Sequence, residues 1–264
     1  MKRRARWIAI IICVAAAVAG GYVWWEVHTG GQWYKVTYDG EPVGYIHLVE
    51  EYEQYEGRKV WAETVEQRFR HGNLAETGFS SRYQLRRELD GQFIMMKGTF
   101  DSGRVGEWSE FYVVVADGML RWTTTEGLGQ ADDTVELPKD TKVYAEVNAW
   151  LLKQHGIGPG DEAEFHVVSF FDAAGHRKAI VKKVERVKHV HEGEEVNALR
   201  VVIESTGRAA GETVLIMTES YDLLKQTEGD QVLVRSSRAE ALANFPPGAK
   251  TGRGVLDWLR SLFE

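Results

Sequence analysis

The chain has 264 residues, of which 39 are acidic and 32 are basic, and its single cysteine is Cys13. A formal net charge of −7 does not attract phosphate backbones, so nucleic-acid binding is not expected. One cysteine can form neither an internal disulfide nor a thiolate metal cluster, which excludes disulfide scaffolds and zinc-finger-type sites.

The N-terminus predicts a membrane anchor. Lys2, Arg3, Arg4 and Arg6 precede the uncharged segment Trp7–Trp25, which ends in two tryptophans. About 20 apolar residues cross the hydrocarbon core as a helix, and the basic side stays in the cytoplasm. We therefore expect a single-pass protein of the bacterial inner membrane whose main domain is periplasmic. The alternative is a secretory signal, because Ala17–Ala19 has the small-x-small form of a cleavage site.

The region after the anchor predicts a β-meander. Most of its turns hold glycine beside aspartate, asparagine or serine, which tolerate the positive φ of short hairpins. Consecutive strands joined by such turns run antiparallel, and their unusual length favours a strongly curved sheet with one buried face. The predicted strands are Trp33–Tyr38, Gly44–Tyr55, Arg58–Arg70, Leu74–Leu89, Gln92–Phe100, Glu107–Ala116 and Met119–Thr125.

A helix is predicted next, over Lys142–His155, capped by Asp140 or Thr141 and ended by Gly156. A second meander and a short helix, Ser237–Phe245, follow it. The two meanders could form halves of one sheet. The strands predicted in the second meander are Glu162–Phe171, Arg177–His191, Val196–Ser205, Glu212–Glu219, Leu223–Thr227 and Gln231–Arg235.

These patterns divide the chain into three parts. Residues 1–29 form the basic start and the anchor, residues 30–245 form the β-rich exported domain, and residues 246–264 form a linker and an amphipathic helix, Val255–Phe263. The predicted fold class is mainly β: a large curved antiparallel meander sheet, or open half-barrel. One mid-chain helix, an N-terminal transmembrane helix and a short C-terminal helix complete it.

Residue patterns that carry chemistry are few. His189 and His191 lie two apart on a predicted strand, so both rings project from one face, but two histidines lack the third ligand of a zinc site. The nucleophile elbow Gly-x-Ser-x-Gly and the zinc motif His-Glu-x-x-His are absent from the sequence. We therefore expect no cofactor and no catalytic residue, although a pair of carboxylates could still form a hydrolase site.

Aromatic residues occur in nearly every predicted strand, and their ordinary role is to fill the core. In a curved sheet they can also line the concave face, where an apolar ligand would bind. The predicted helix would then plug or gate that concavity. The ligand-binding residues predicted on this basis are Trp61, Phe93, Trp122, Trp150 and Leu151.

Three sequence segments carry a family resemblance. Trp33–Tyr45, with its Tyr-Asp-Gly step, Glu88–Gly91 and Arg238–Ala241 resemble the β-rich module that precedes the catalytic domain of bacterial membrane-anchored transglutaminase-like proteins. That module covers about residues 30 to 245 and is similar to the half-barrels of lipoprotein-sorting carriers, which hold acyl chains in an apolar groove. The sequence lacks the catalytic Cys/His/Asp domain, so the resemblance implies no transglutaminase or protease activity.

The anchor, the long strands and the aromatic residues together predict a function. We expect a membrane-tethered, non-catalytic envelope domain that binds an apolar or lipid-like ligand, or an envelope protein. An envelope hydrolase acting through carboxylates is one alternative, and clustered acids with raised pKa values would favour it. A structural or assembly protein is the other, and an exposed apolar stripe at Leu256, Leu259 and Phe263 would support that function.

Overall fold

The computed structural model describes residues 31–70, 79–101, 108–126, 129–139, 141–168, 176–206 and 211–245. The predicted anchor Trp7–Trp25 with Cys13, and the predicted linker and helix of residues 246–264, lie outside the described residues. Within the described part of the chain, no helix has the length and apolar character needed to cross a membrane.

The prediction of a mainly β fold is confirmed, since the described residues contain 15 strands and two short helices. The strands are β1 Gln32–Tyr38, β2 Glu41–Tyr55, β3 Arg58–Phe69, β4 Phe79–Arg87, β5 Phe93–Asp101, β6 Trp108–Ala116, β7 Met119–Glu126, β8 Gly129–Glu136, β9 Val143–Tyr144, β10 Ala163–Val168, β11 His176–His191, β12 Glu194–Ser205, β13 Gly211–Thr218, β14 Leu223–Glu228 and β15 Gln231–Ser236. The helices are α1 Ala149–Gln154 and α2 Arg238–Ala243.

All 15 strands belong to one sheet, so the two predicted meanders are indeed two halves of it. The strand order is β8-β7-β6-β5-β4-β3-β2-β1-β15-β14-β13-β12-β11-β10-β9. The halves meet in the middle, where the first strand pairs antiparallel with the last. Every pairing is antiparallel except that of β9 with β10. The first and the last of the described strands therefore lie at the centre of the sheet.

The sheet curls so that its two ends approach each other. The outermost strands, β8 and β9, are joined by only the short segment 137–142. Val143 of β9 and Val168 of β10 pack in one cluster with Leu85, Met96 and Val113 from β4, β5 and β6. Strands far apart in the sheet order can share a core only if the sheet bends toward one face. That face is concave, and it holds the core.

Tight turns set the register of the hairpins as the sequence predicted. Asp39-Gly40, Glu56-Gly57, Asp117-Gly118 and Glu192-Gly193 all have positive φ at both central residues. This conformation is that of a type I′ turn, whose twist matches the twist of the flanking strands. The strand predictions are wrong at the end of β4, which is Arg87 rather than Leu89, and they lack the strand β8.

The predicted helix over Lys142–His155 is wrong at its start. Val143–Tyr144 forms the edge strand β9, and the helix begins only after Asn148, whose side-chain oxygen accepts a hydrogen bond of 2.9 Å from the backbone N–H of Leu151. Asparagine is a strong N-cap residue because its side chain satisfies a free N–H of the first turn. The predicted end is correct, since Gly156 has a φ of +64°.

Helix α2 matches the predicted helix Ser237–Phe245, with Ser237 as its N-cap. Beyond α2, the side-chain amide of Asn244 donates hydrogen bonds to the carbonyls of Val36 (2.8 Å) and Gly44 (2.6 Å). The pairing of β1 with β2 shifts register between Val36 and Thr37, so this amide bridges the strands at an irregularity.

Replacing Asn244 by alanine should lower the free energy of unfolding by about 1–3 kcal/mol, because two partly buried carbonyls lose their donor. Chemical denaturation monitored by circular dichroism measures this loss. The matched control is Gln154→Ala, which removes an exposed amide and should change stability by less than about 0.5 kcal/mol. Equal effects of the two variants would contradict the bridging role.

Candidate functional site

The candidate site lies on the concave face where β2, β3 and β4 run side by side. Cross-strand register places Glu50 opposite Glu63, and Trp61 opposite Arg87. Since side chains two residues apart on a strand share a face, Trp61 and Glu63 point to the same side of β3. Leu85, which pairs with Glu63, belongs to the core, so that side is the concave one.

Helix α1 packs against the concave face of the sheet, and residues on two sides of the helix make the contacts. Leu151 and Leu152, which are 1% and 0% exposed, enter the core formed with β10 to β13. Trp150 points toward β3 and stacks on Trp61, with ring centroids 5.5 Å apart and planes 22° from parallel. Helix α1 therefore joins the two halves of the curled sheet.

The five residues predicted to bind a ligand fall into two groups. Phe93 and Leu151 are 2% and 1% exposed, so they are packed core residues. Trp61, Trp122 and Trp150 also belong to the concave side, but each keeps part of its surface accessible. The tryptophans alone can therefore contact a ligand without a change in the core.

A buried guanidinium connects the tryptophans to carboxylates. Arg87 is 2% exposed, and its Nη2 donates to the carboxylate of Glu63, which is also buried. The same nitrogen lies 3.9 Å from Oε1 of Glu50. The guanidinium carbon lies 4.6 Å from the centre of the Trp150 ring, a cation–π distance.

Glu146 adds a third carboxylate from the segment between β9 and α1. Its pKa is raised above the usual value, first by burial among protein atoms and then by the charge of Glu63, whereas Arg87 lowers it. Burial and Glu63 likewise raise the pKa of Glu50, against the opposing effect of Arg87. We refer to Glu50, Glu63, Arg87 and Glu146 as the Arg87 cluster.

The raised pKa of Glu50 predicts a dependence of stability on pH. A carboxyl whose folded pKa exceeds its unfolded value of about 4.5 binds more protons in the folded state. The contribution of the Glu50 carboxyl to the free energy of unfolding is therefore complete below the unfolded pKa. It is lost as the pH rises through the folded pKa. Relative to wild type, Glu50→Gln should become increasingly stabilising in urea unfolding as the pH rises above the unfolded pKa of about 4.5.

The control for this pH dependence is Glu51→Gln, which removes the neighbouring exposed carboxylate from the opposite face of β2. Because Glu51 is exposed, Glu51→Gln should change the unfolding free energy by less than about 0.5 kcal/mol in the same urea experiments. A difference curve for Glu50→Gln that is flat with pH would contradict the prediction, because the raised pKa would then have no counterpart in the folding equilibrium.

Sequence reasoning did not single out the Arg87 cluster. The available signal was the presence of charged residues on the apolar face of alternating strands, since Glu63 shares its face with Val65, and Arg87 with Leu85. Carboxylates are numerous in this acidic chain, and their sequence positions do not tell buried ones from solvated ones. The cross-strand register supplies the missing information.

The two histidines considered for a metal site, His189 and His191, both lie on β11 near its end. Among the described residues, no three histidine, cysteine, aspartate or glutamate side chains are placed to hold a metal ion. Burial is the first cause that lowers the pKa of His189, and the charge of Lys225 is the second.

Two of the open concavities on the described surface lie elsewhere. The larger, of about 650 Å³, lies mainly on the convex face of β3 to β7, around Gln84, Lys97 and Tyr112. The other, of about 510 Å³, lies beside β9 and β10, around His155 and His166. None of the five predicted ligand residues lines either concavity.

Comparisons with known proteins concern the fold only. No protein-family model and no curated protein matches the sequence. A β-barrel-like protein of the DUF1849 family of unknown function, from Brucella abortus, aligns with 78% of this chain and 95% of its own, at 10% identity and a TM-score of 0.48. A DUF1089 family protein from Pseudomonas aeruginosa aligns with 69% and 90%, at 14% identity and a TM-score of 0.41. The expected transglutaminase-associated module is not shown by these comparisons.

Proposed function

We propose that this chain is a membrane-tethered, non-catalytic domain of the bacterial envelope that binds an amphipathic, lipid-like ligand on the concave face of its sheet. One observation carries the proposal. Three tryptophans of the concave side, Trp61, Trp122 and Trp150, retain accessible surface, and two of them, Trp61 and Trp150, lie beside the buried Arg87. Apolar walls with a few converging polar groups are the usual composition of small-molecule sites.

The stacked pair Trp61 and Trp150 forms the apolar surface next to the Arg87 cluster. Stacked indoles present a broad flat surface of low conformational entropy, which suits an alkyl chain or a ring. Trp150 packs against the core cluster that contains Leu151, and Phe93 belongs to the core cluster formed with β4 to β7. An apolar tail would therefore lie on the tryptophans, with its polar end toward the charged groups.

The tether follows from the sequence of the N-terminal segment. Trp7–Trp25 would hold the domain at the periplasmic surface of the inner membrane, where lipid-like molecules are available. Membranes washed with alkaline carbonate should retain the full chain, and release of the chain into the supernatant would contradict the tether. Immunoblotting of the two fractions gives the result.

Native mass spectrometry of the full chain purified from membranes tests the ligand. We expect a bound molecule with the mass of a lipid or another amphiphile. A co-purified protein in place of a small molecule would favour an envelope partner protein instead. The complete absence of any adduct, followed by failure of added amphiphiles to bind, would overturn the proposal.

Matched tryptophan variants locate the site. Trp150→Leu should reduce the bound fraction by about tenfold, because it removes half of the stacked pair. Trp33→Leu is the control, since Trp33 stacks on His47 on the opposite face of the sheet, with ring centroids 4.0 Å apart. Both variants must retain the wild-type circular dichroism spectrum, and an equal loss of ligand in both would contradict the assignment.

A second candidate function is a carboxylate-dependent hydrolase of the envelope. It is favoured by one observation, the raised pKa values of Glu50 and Glu146 in the same cluster, since a carboxylic acid kept protonated can act as a general acid. Hydrolysis of nitrophenyl esters and glycosides by the full chain tests it. Turnover that disappears in both Glu50→Gln and Glu146→Gln would favour this function over simple binding.

A further inference from the structure

The larger open concavity, of about 650 Å³, is a groove that crosses the convex face of β3 to β7. The cross-strand register gives its direction. One row of directly paired residues runs across these strands, namely Thr64, Gln84, Lys97, Tyr112 and Thr123. Neighbouring strands lie about 4.8 Å apart, so the row is about 19 Å long. The groove therefore offers a long strip to a ligand that lies across the strands.

A second row of residues lies beside the first, two positions along each strand. Side chains two positions apart on a strand project from the same face, so both rows belong to the convex side. Long and short side chains alternate in the second row, and the short ones leave room for a ligand. The second row consists of Arg82, Thr99, Glu110 and Thr125, which all line the groove.

The two rows carry hydrogen-bonding groups of every kind. Threonine hydroxyls and the amide of Gln84 both donate and accept hydrogen bonds. Arg82 and Lys97 add donors, and Glu110 adds an acceptor. These three charged side chains are exposed. A ligand that fits the groove must therefore present both donors and acceptors along its length.

The groove also contains one accessible aromatic ring. Tyr112 is 39% exposed and lies between Lys97 and Thr123 in the first row. An aromatic face packs well on the C–H groups of a sugar ring, and the hydroxyl groups of that sugar both donate and accept hydrogen bonds. An alkyl chain would instead leave the polar side chains without partners.

The charges of the groove favour a neutral ligand. A polyanion would meet the carboxylate of Glu110, and a polycation would meet Arg82 and Lys97. A neutral hydroxyl can accept from either cation and donate to the carboxylate. Among the ligand chemistries compared, a neutral oligosaccharide fits these side chains best.

We infer that the groove on the convex face of β3 to β7 binds a neutral, extended oligosaccharide, with one sugar ring stacked on Tyr112. The hydroxyl groups of the adjoining sugars bond to Gln84 and Lys97 on one side and to Thr123 on the other. Other β folds also bind oligosaccharides on the face of a sheet. This site goes beyond the proposed function, because it lies on the opposite face of the sheet from the tryptophans.

The experiment compares three β-1,4-linked tetrasaccharides. Cellotetraose and chitotetraose are neutral, and the glucosamine tetramer is cationic in the mildly acidic buffer used for all three. Isothermal titration calorimetry measures binding to the full chain held in amphipol, since glycoside detergents would compete for the groove. We expect a neutral tetrasaccharide to bind with a Kd of about 1 mM or lower, and the cationic one about tenfold more weakly.

Substitutions at Tyr112 assign the binding to the groove. Tyr112→Ala should weaken binding of the neutral tetrasaccharide about tenfold, whereas Tyr112→Phe keeps the ring and should stay within about twofold of wild type. Tyr38→Ala is the control, since Tyr38 has a similar exposure of 38% but lies at the end of β1, outside the groove.

A second substitution tests the groove without removing an aromatic ring. Gln84→Met keeps the length of the side chain and removes the amide, and it should weaken binding about threefold. Wild-type circular dichroism and melting temperature show that each variant folds.

Each outcome supports or overturns the inference. Binding of a neutral tetrasaccharide that Tyr112→Ala weakens and Tyr112→Phe preserves supports it. Binding that survives in both Tyr112→Ala and Gln84→Met, or an equal loss in Tyr38→Ala, overturns the placement in the groove. Tighter binding of the cationic tetrasaccharide, or no binding of either neutral one at about 5 mM, overturns the ligand class. None of these outcomes changes the test of the concave site, which uses amphiphiles.

Discussion

Replacing Arg87 by methionine should lower the free energy of unfolding by about 3–5 kcal/mol, the usual effect of removing one partner from a buried ion pair. Methionine keeps much of the length of the side chain but leaves the buried carboxylate of Glu63 without its cation. It also removes the cation that lies over Trp150, the contact between β4 and helix α1. Urea denaturation followed by tryptophan fluorescence measures the effect.

Two controls separate the loss of charge compensation from the loss of packing. The double variant Arg87→Met with Glu63→Leu removes both charges, so it should recover most of the stability lost in the single variant. Arg58→Met breaks the exposed pair with Glu88 and should cost less than about 1 kcal/mol. If the double variant is as unstable as the single one, the guanidinium acts through packing and not as the counter-ion of Glu63.

The substitution Gly91→Ala should destabilise the chain by about 2–5 kcal/mol, the sum of a backbone and a packing penalty. Gly91 has a φ of +91°, which a residue with a Cβ rarely adopts. A Cβ at this position would lie 2.7 Å from Cδ1 of Leu151 and 3.0 Å from Cζ3 of Trp150. The turn between β4 and β5 thus packs directly on helix α1, and thermal unfolding should show a lower midpoint.

The matched control for Gly91 is Gly57 in the turn between β2 and β3. Gly57 has a similar φ of +79°, but a Cβ there would meet nothing within 4 Å. Gly57→Ala should therefore show the backbone penalty alone, about 1–2 kcal/mol. A loss for Gly91→Ala no larger than that for Gly57→Ala would mean that helix α1 shifts to accommodate the methyl group.

Much of the secondary structure could be predicted because its causes are local. Turn dipeptides such as Asp39-Gly40 and Asp117-Gly118 adopt positive φ whatever surrounds them, so they fix where one strand ends and the next begins. The start of helix α1 was predicted several residues too close to the N-terminus, because a contact with a distant strand decides it. Val143–Tyr144 has an apolar pattern compatible with a helix, but pairing with β10 places it in a strand.

The candidate site could be predicted only in part, because its residues come together through register and curvature. Alternation of residues along β3 identifies Trp61 and Glu63 as neighbours on one face, but it does not reveal that Arg87 lies beside them. Sequence reasoning proposed Phe93 and Leu151 as ligand residues, whereas the structure places both in the packed core. Aromatic and aliphatic residues of a core and of a groove have the same sequence pattern.

The sequence alone therefore determined a β-rich chain of long hairpins, since alternation and turn chemistry act over a few residues. Only the tertiary structure decided that the first strand pairs with the last and that the sheet curls over helix α1. The same long-range pairing decided which charges are enclosed, among them Glu63 and Arg87. Such contacts join residues far apart in the chain, and no local pattern encodes them.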